Sequence, residues 1–171
     1  LTKGLQDISE SPLLISIDQE GGKVNRLKKE YGFPDFPSWN EIGFIDDVQN
    51  TKQYSELLGN CLSDVGINLN YAPVLDLDYG KSSYIGNANR ALSEDPNKVI
   101  NHSSIFISEL KKSGVLSCAK HFPGQGSGIG DTHKGLTDIT KTWSEVELLP
   151  YQKLIEKNEL EMVMISCLLY T

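Results

Sequence analysis

Apolar stretches alternate along the chain with segments in which apolar residues recur at helical spacing. Four apolar, β-branched runs have the pattern of buried strands. They cover residues 13–18 (LLISID), 67–77, 115–121 and 161–170. Residues 51–65, 95–113 and 143–158 have the helical pattern. Gly66 and Gly114 follow the first two of these segments, at the position where helices commonly end.

Because strand and helix alternate, the pattern predicts βαβ units and a parallel sheet, in one domain or part of one. Polar residues stand where the predicted strands end: Asp18 in the first, Asp76 in the second, and Lys120 and His121 in the third. The carboxyl ends of parallel strands meet at one edge, where α/β enzymes build their active sites. The pattern therefore indicates an enzyme.

Charge and composition narrow the class further. The 171 residues include 16 Lys+Arg and 23 Asp+Glu, for a net charge of -7. Nucleic-acid affinity rests on Lys and Arg, so we expect no nucleic-acid partner. No apolar run approaches the roughly 20 residues of a membrane helix, and no signal peptide is visible. We expect Cys61, Cys118 and Cys167 to be buried, reduced thiols of a cytoplasmic protein.

The segment from Lys120 to His133, KHFPGQGSGIGDTH, is the strongest candidate for active-site chemistry. A loop with so many glycines is either mobile or close to a ligand. Asp131 lies two residues before His133, where its carboxylate can accept a hydrogen bond from the imidazole and prepare it for proton transfer. The loop could instead carry incidental surface polarity. A metal site from His121, Asp131 and His133 is a further alternative, although the spacing of the histidines is not typical of one.

Other polar residues have two interpretations each. The segment DQEGG at residues 18–22 could grip hydroxyl groups or be a plain acidic loop. Arg26 could belong to a basic surface, and Arg90 could be an ordinary surface residue or point into a cleft. Asp76 could cap a helix or hold a neighbouring Arg. The two tryptophans, at positions 39 and 143, could stack on sugars, but packing is the commoner use of Trp.

Four segments, taken together, resemble family 3 glycoside hydrolases, in particular the bacterial β-N-acetylhexosaminidases of the NagZ type. In chain order they are LISIDQEGGKVNRL, GINLNYAPVLDLD, IGNANRALSEDPNKV, and AKHFPGQG followed by GDTHKGL. One segment alone would be a weak signal, but four in the family's order span nearly the whole chain. The Asp-x-His motif after KHFPG resembles the corresponding motif of this branch, which the family's β-glucosidases do not carry.

The resemblance implies a (β/α)8 barrel and retaining hydrolysis of terminal β-linked N-acetylglucosamine, in muropeptide recycling in the cytoplasm. It implies that His133 is the general acid/base and Asp131 its partner, an exception to the usual pair of carboxylates. It implies no metal or organic cofactor and a carbohydrate as the partner. The family's sugar-binding positions fall on Asp18, Arg26, Arg90, Lys120 and His121.

The sequence departs from the family at Gln125, where His is usual, and at Cys167, where relatives often have His. A barrel needs about 250 residues. We therefore expect residues 1–171 to be an internal segment of about four βα units, truncated at both ends, with the nucleophilic Asp beyond Thr171. An unclosed sheet exposes its edges, so the segment should be unstable or self-associating in isolation.

Two alternatives remain open. The first is a family 3 glycosidase with a different sugar preference. The second is a sugar-binding or scaffolding homologue without catalysis, which the departures at Gln125 and Cys167 and the missing nucleophile suggest.

Overall fold

The computed structural model of the chain describes residues 2–169. Its main sheet has four parallel strands in the order β1 (Ser16–Ile17), β2 (Leu69–Asn70), β3 (Leu116–Phe122) and β5 (Met162–Ile165). A smaller parallel pair joins β4 (Thr137–Asp138) to β6 (Leu168–Leu169). The predicted α/β fold with a parallel sheet is confirmed, and among the described residues β1 and β5 form the edges of the main sheet.

Six α-helices surround these strands in the described part of the chain. They are α1 (Thr2–Ile8), α2 (Trp39–Ile45), α3 (Val48–Asp64), α4 (Tyr84–Asn87), α5 (Pro96–Lys112) and α6 (Leu149–Glu156). The helix α5 packs against α3, α6 and β3. Asp95 caps α5 by accepting from the backbone N–H of Asn97, and Pro96 occupies the first turn, as its fixed φ allows.

The helix α2 begins with a local signal that hydrophobic periodicity alone does not reveal. Ser38 accepts a hydrogen bond from the backbone N–H of Glu41, and the Glu41 side chain accepts from the backbone of Ser38. This capping box satisfies two N–H groups that the first turn would leave without partners. It orients Trp39 into the core, where the indole Nε1 donates to the carbonyl of Val74 at 3.0 Å. Trp39 therefore has a packing role.

Three predicted elements differ from the structure. The strand predicted for residues 67–77 ends at Asn70, because Pro73 has no N–H to pair; the pairing resumes only as a bridge between Val74 and Lys120. The helix predicted for residues 143–158 is a 3-10 turn, Glu145–Leu148, followed by α6. The strand predicted for residues 161–170 divides into β5 and β6, which belong to different sheets, and Tyr170 lies outside the described residues.

The cysteine prediction is correct only in part. Cys118 is buried in β3, but Cys61 is half-buried and Cys167 is exposed. Cys167 follows the point where the chain leaves β5, so its side chain is not covered by a neighbouring strand of the main sheet. Among residues 2–169, no helix has the length and apolar character needed to cross a membrane.

Candidate active site

Polar residues from three strands meet at the carboxyl edge of the sheet, as the strand pattern predicts. A charge cluster forms there from Asp18 and Glu20 after β1, Arg90 after α4, and Lys120 in β3; Glu20 and Lys120 are buried, whereas the Asp18 side chain is 40% exposed. The guanidinium of Arg90 donates to both Glu20 oxygens, with Nε and Nη2 each at 2.8 Å. The ammonium of Lys120 lies 2.6 Å from Asp18 Oδ1 and also contacts Glu20. Two cations and two anions thus balance one another beside the cavity.

Glu20 is central to this cluster, with only 5% of its surface exposed. Burial by itself raises the pKa of Glu20, but the hydrogen bond from Arg90 and the charges of Lys120 and Arg90 outweigh burial and hold the pKa below its ordinary 4.5. Glu20 is therefore an anion at neutral pH. The sequence pattern places it in the DQEGG loop, but the pattern does not indicate that it joins Arg90 to Lys120.

Asp76 holds His121, and this settles the two alternatives left open for Asp76. The carboxylate is fully buried, and its Oδ2 lies 2.6 Å from Nδ1 of His121. Its Oδ1 accepts from the backbone N–H groups of His121 and Gln125, at 3.2 and 2.8 Å. Burial raises the pKa of Asp76, but the charge and hydrogen bond of His121 prevail and lower it. Asp76 therefore caps no helix, and it hydrogen-bonds to a histidine rather than to an arginine, although its charge also raises the pKa of Arg90.

The glycine loop, residues 124–133, carries the second group of candidate residues. His133 Nδ1 lies 3.0 Å from Asp131 Oδ1, which also accepts from the backbone N–H of His133 at 3.0 Å. The backbone hydrogen bond from His133 lowers the pKa of Asp131 most, and the side-chain hydrogen bond lowers it further. The His133 side chain is 84% exposed, whereas that of Asp131 is 19% exposed. The structure therefore pairs the two residues and leaves the imidazole accessible.

The loop lies against α4. The backbone N–H of Tyr84 donates to the carbonyl of Gly128 at 2.8 Å. Burial raises the pKa of the Tyr84 phenol, and the neighbouring Asp131 carboxylate raises it further through its charge and a hydrogen bond. Tyr84 is thus a neighbour of the Asp131–His133 pair that the motifs did not indicate.

One cavity of about 340 Å³ brings these groups together. All five predicted sugar-binding residues line it, and His133 lines it from the loop side. Asp131 does not itself line the cavity, but it hydrogen-bonds to His133, which does. Glu20, Gln125 and Cys167, which the sequence singles out, also line the cavity, as do Tyr84 and Ser166, which no motif indicated. A larger cavity of about 550 Å³ near Tyr79 has two carboxylates and no cation in its lining.

Gln125 occupies the position where the sequence departs most clearly from the family. Its side chain is buried, and its Oε1 accepts a hydrogen bond from Ser166 Oγ at 2.8 Å. The amide therefore links the glycine loop to the end of β5. Residues 2–169 contain no group of three or more His, Cys, Asp or Glu side chains placed to hold a metal ion, so the alternative metal site is not formed there.

Comparison with known proteins identifies the family. The model of the glycosyl hydrolase family 3 N terminal domain matches residues 2–171. The chain belongs to glycosyl hydrolase family 3. It is 35% identical over its whole length to a beta-hexosaminidase of Tolumonas auensis, of which it covers 51%. It is 36% identical to a beta-hexosaminidase of Neisseria meningitidis, with 86% of the chain and 42% of that protein covered.

Solved structures of family 3 proteins have the same fold over this region. NagZ from Neisseria gonorrhoeae in complex with N-trifluoroacetyl-D-glucosamine matches with a TM-score of 0.88 at 32% identity, covering 99% of this chain and 52% of that one. A family 3 β-N-acetylglucosaminidase from Paenibacillus sp. matches with a TM-score of 0.90 at 30% identity, covering 99% and 33%. The chain thus spans about half the length of its curated relatives, or less.

Proposed function

We propose that the protein containing this chain is a retaining exo-β-N-acetylglucosaminidase, and that residues 1–171 form part of its (β/α)8 barrel. The relatives named beta-hexosaminidase support the reaction class. The observation that carries the proposal is the shared cavity. The charge cluster lines it from the sheet side, and His133, held by Asp131, lines it from the loop side.

The proposed roles follow from these contacts. The charge cluster and His121 present anions and cations to the hydroxyls of a terminal N-acetylglucosamine, and Arg26 adds an exposed cation at the rim. The Asp131 carboxylate accepts a hydrogen bond from Nδ1 of His133, so Nε2 of His133 remains to give a proton to the glycosidic oxygen. The nucleophile is an Asp on a later strand. This chemistry needs neither a metal nor an organic cofactor.

The reaction has two steps. The nucleophilic carboxylate attacks the anomeric carbon as the bond to the leaving oxygen breaks, and His133 protonates that oxygen. In the second step His133 takes a proton from water, which attacks the anomeric carbon and releases the carboxylate. We propose muropeptide recycling in the cytoplasm as the setting, with glycans that carry N-acetylglucosamine as substrates.

The test compares His133→Ala with the wild type in the full-length protein. The value of kcat/KM reports the first step, so it should fall by about 10²-fold or more for a substrate with a poor leaving group, which needs protonation. For an activated aryl β-N-acetylglucosaminide, kcat/KM should fall less than about tenfold, while kcat falls because the second step lacks its base.

Leu136→Ala is the matched control, because Leu136 follows the same loop and is 74% exposed. It should leave both substrates unaffected. If kcat/KM fell equally for both substrates in His133→Ala, the proposed role of His133 as the general acid would be wrong. Aryl glycosides of other sugars, assayed in parallel, identify a different sugar preference. Saturable binding of N-acetylglucosamine without turnover identifies a binding protein.

A further inference from the structure

A buried carboxylate, Glu147, lies directly behind the glycine loop and has no part in the proposed reaction. It is 1% exposed and belongs to the 3-10 turn that precedes α6. Its Oε2 accepts from the backbone N–H of Gly126 at 2.9 Å. The adjacent N–H, that of Gln125, donates to Asp76. Two consecutive amides of the loop are therefore held by two different buried carboxylates.

The fit between Glu147 and the loop is close. A Cβ atom at Gly124 would lie 2.5 Å from the Cβ of Glu147, and one at Gly126 would lie 2.3 Å from the carbonyl oxygen of Leu77. The glycines of this stretch are thus needed because the loop backbone is pressed between Glu147 and the segment after β2. Trp143 adds a contact from the same side, since its Nε1 donates to the carbonyl of Pro123 at 3.3 Å.

The surroundings of Glu147 disfavour a negative charge. Asp76, Tyr79 and Tyr151 are the titratable groups that face it, from the segment after β2 and from α6, and none is a cation. Burial raises the pKa of Glu147 to about 7, and the charge of Asp76 adds to this rise, although the neighbouring Ser127 and the hydrogen bond from the Gly126 N–H oppose it. The carboxyl thus changes charge near neutral pH.

Within the proposed glycosidase function, on which this inference rests, we propose that Glu147 is a positioning residue whose neutral form holds residues 123–127 against Asp76. Asp76 in turn holds His121 at the cavity. When Glu147 ionises, it and Asp76 are two buried anions that accept from neighbouring amides and repel each other, so residues 123–127 are held less firmly. Sugar binding and turnover then decline as the pH rises, independently of the titration of other groups.

Two substitutions separate the effects of charge and contact in the full-length protein. Glu147→Gln keeps an acceptor for the Gly126 N–H and cannot ionise. We compare the two proteins by the ratio of kcat/KM in Glu147→Gln to kcat/KM in the wild type, because the titrations of groups that both proteins share cancel in this ratio. The ratio should be near one at pH 6 and should rise to about three or more by pH 8.5. Glu147→Ala loses the acceptor, and its kcat/KM should fall about tenfold relative to the wild type at pH 6. Glu145→Gln, on the same turn but exposed, should give a ratio of one throughout.

A second measurement needs neither turnover nor a folded variant. Amide hydrogen exchange of residues 121–130 in the wild type, corrected for the intrinsic dependence on pH, should lose protection as the pH rises through about 7. Constant protection, or a Glu147→Gln ratio that stays flat from pH 6 to pH 8.5, would overturn the inference. If the wild type hydrolyses no glycoside but its loop loses protection as expected, the proposed function fails and the role of Glu147 in holding the loop stands.

Discussion

The buried ion pairs of Glu20 allow a quantitative prediction of stability. In Glu20→Gln the amide keeps the shape of the carboxylate but not its charge. Arg90 then loses the carboxylate that accepts from both its Nε and Nη2 atoms. Lys120, 2% exposed, keeps only Asp18, at 2.6 Å. Two cations with little access to water thus share one fewer anion.

The size of the effect follows from this geometry. Removing one partner of a buried ion pair costs about 3–5 kcal/mol, because the remaining charge is desolvated without compensation. Asp18 still neutralises Lys120, so we expect the lower end, about 3 kcal/mol. The exposed pair of Lys28 and Glu30, at 3.4 Å with more than half of each side chain exposed, is the comparison. Such surface pairs contribute about 0–1 kcal/mol.

The pH dependence has a definite sign. The pKa of Glu20 in the folded protein lies below its ordinary 4.5. Its contribution to stability is therefore complete above pH 4.5 and is lost as the pH falls through the folded-state pKa. The difference between wild type and Glu20→Gln should be greatest at neutral pH and should shrink in acid.

Urea denaturation of the full-length protein, followed by circular dichroism at pH 7 and pH 4, measures both effects. Glu30→Gln serves as the control for loss of a carboxylate at the surface. The reasoning is refuted if Glu20→Gln costs no more than Glu30→Gln at pH 7, or if the deficit of Glu20→Gln grows in acid.

Two further predictions concern packing and buried charge. Gly126→Ala should lower the melting temperature, at a cost of about 2 kcal/mol or more, since its Cβ would meet the carbonyl of Leu77 at 2.3 Å. Gly4→Ala is the control, because a Cβ on α1 would lie in open space there, and it should stabilise the protein by up to about 1 kcal/mol. If Gly126→Ala and Gly4→Ala lost equal stability, the steric explanation would be contradicted. The pKa of Glu147 rises from 4.5 to about 7 on folding, so the wild type should lose up to about 3 kcal/mol as pH rises between those values. Glu147→Gln should not show that loss of stability. If the unfolding free energies of the two proteins, measured by denaturation, changed with pH in parallel, this prediction would be wrong.

The geometry of the candidate site was predictable wherever local signals and strand direction were sufficient. Asp18 and Lys120 follow from the rule that polar residues at the carboxyl ends of parallel strands share one edge. The partnership of Asp131 and His133 follows from their separation of two residues, which lets a backbone turn bring the side chains together. The capping box at Ser38 was also present in the sequence, but the periodicity of apolar residues does not reveal it.

Contacts between distant segments were not predictable in the same way. Glu20 and Arg90 are separated by 70 residues, and Asp76 and His121 by 45, so no local spacing indicates that they meet. The same holds for Glu147, which precedes a helix and looks like an ordinary acidic residue of a first turn. Its burial depends on how the 3-10 turn packs behind the glycine loop.

The sequence by itself determined the parallel α/β architecture, the edge at which the candidate site lies, and the Asp131–His133 pair. Each of these depends on periodicity, on strand direction or on neighbours in the chain. Only the tertiary structure decided the partners of the buried charges. In a low-dielectric interior the charge state of Glu20, Asp76 and Glu147 is set by which groups lie within a few ångströms, and the packing of the elements brings those groups together.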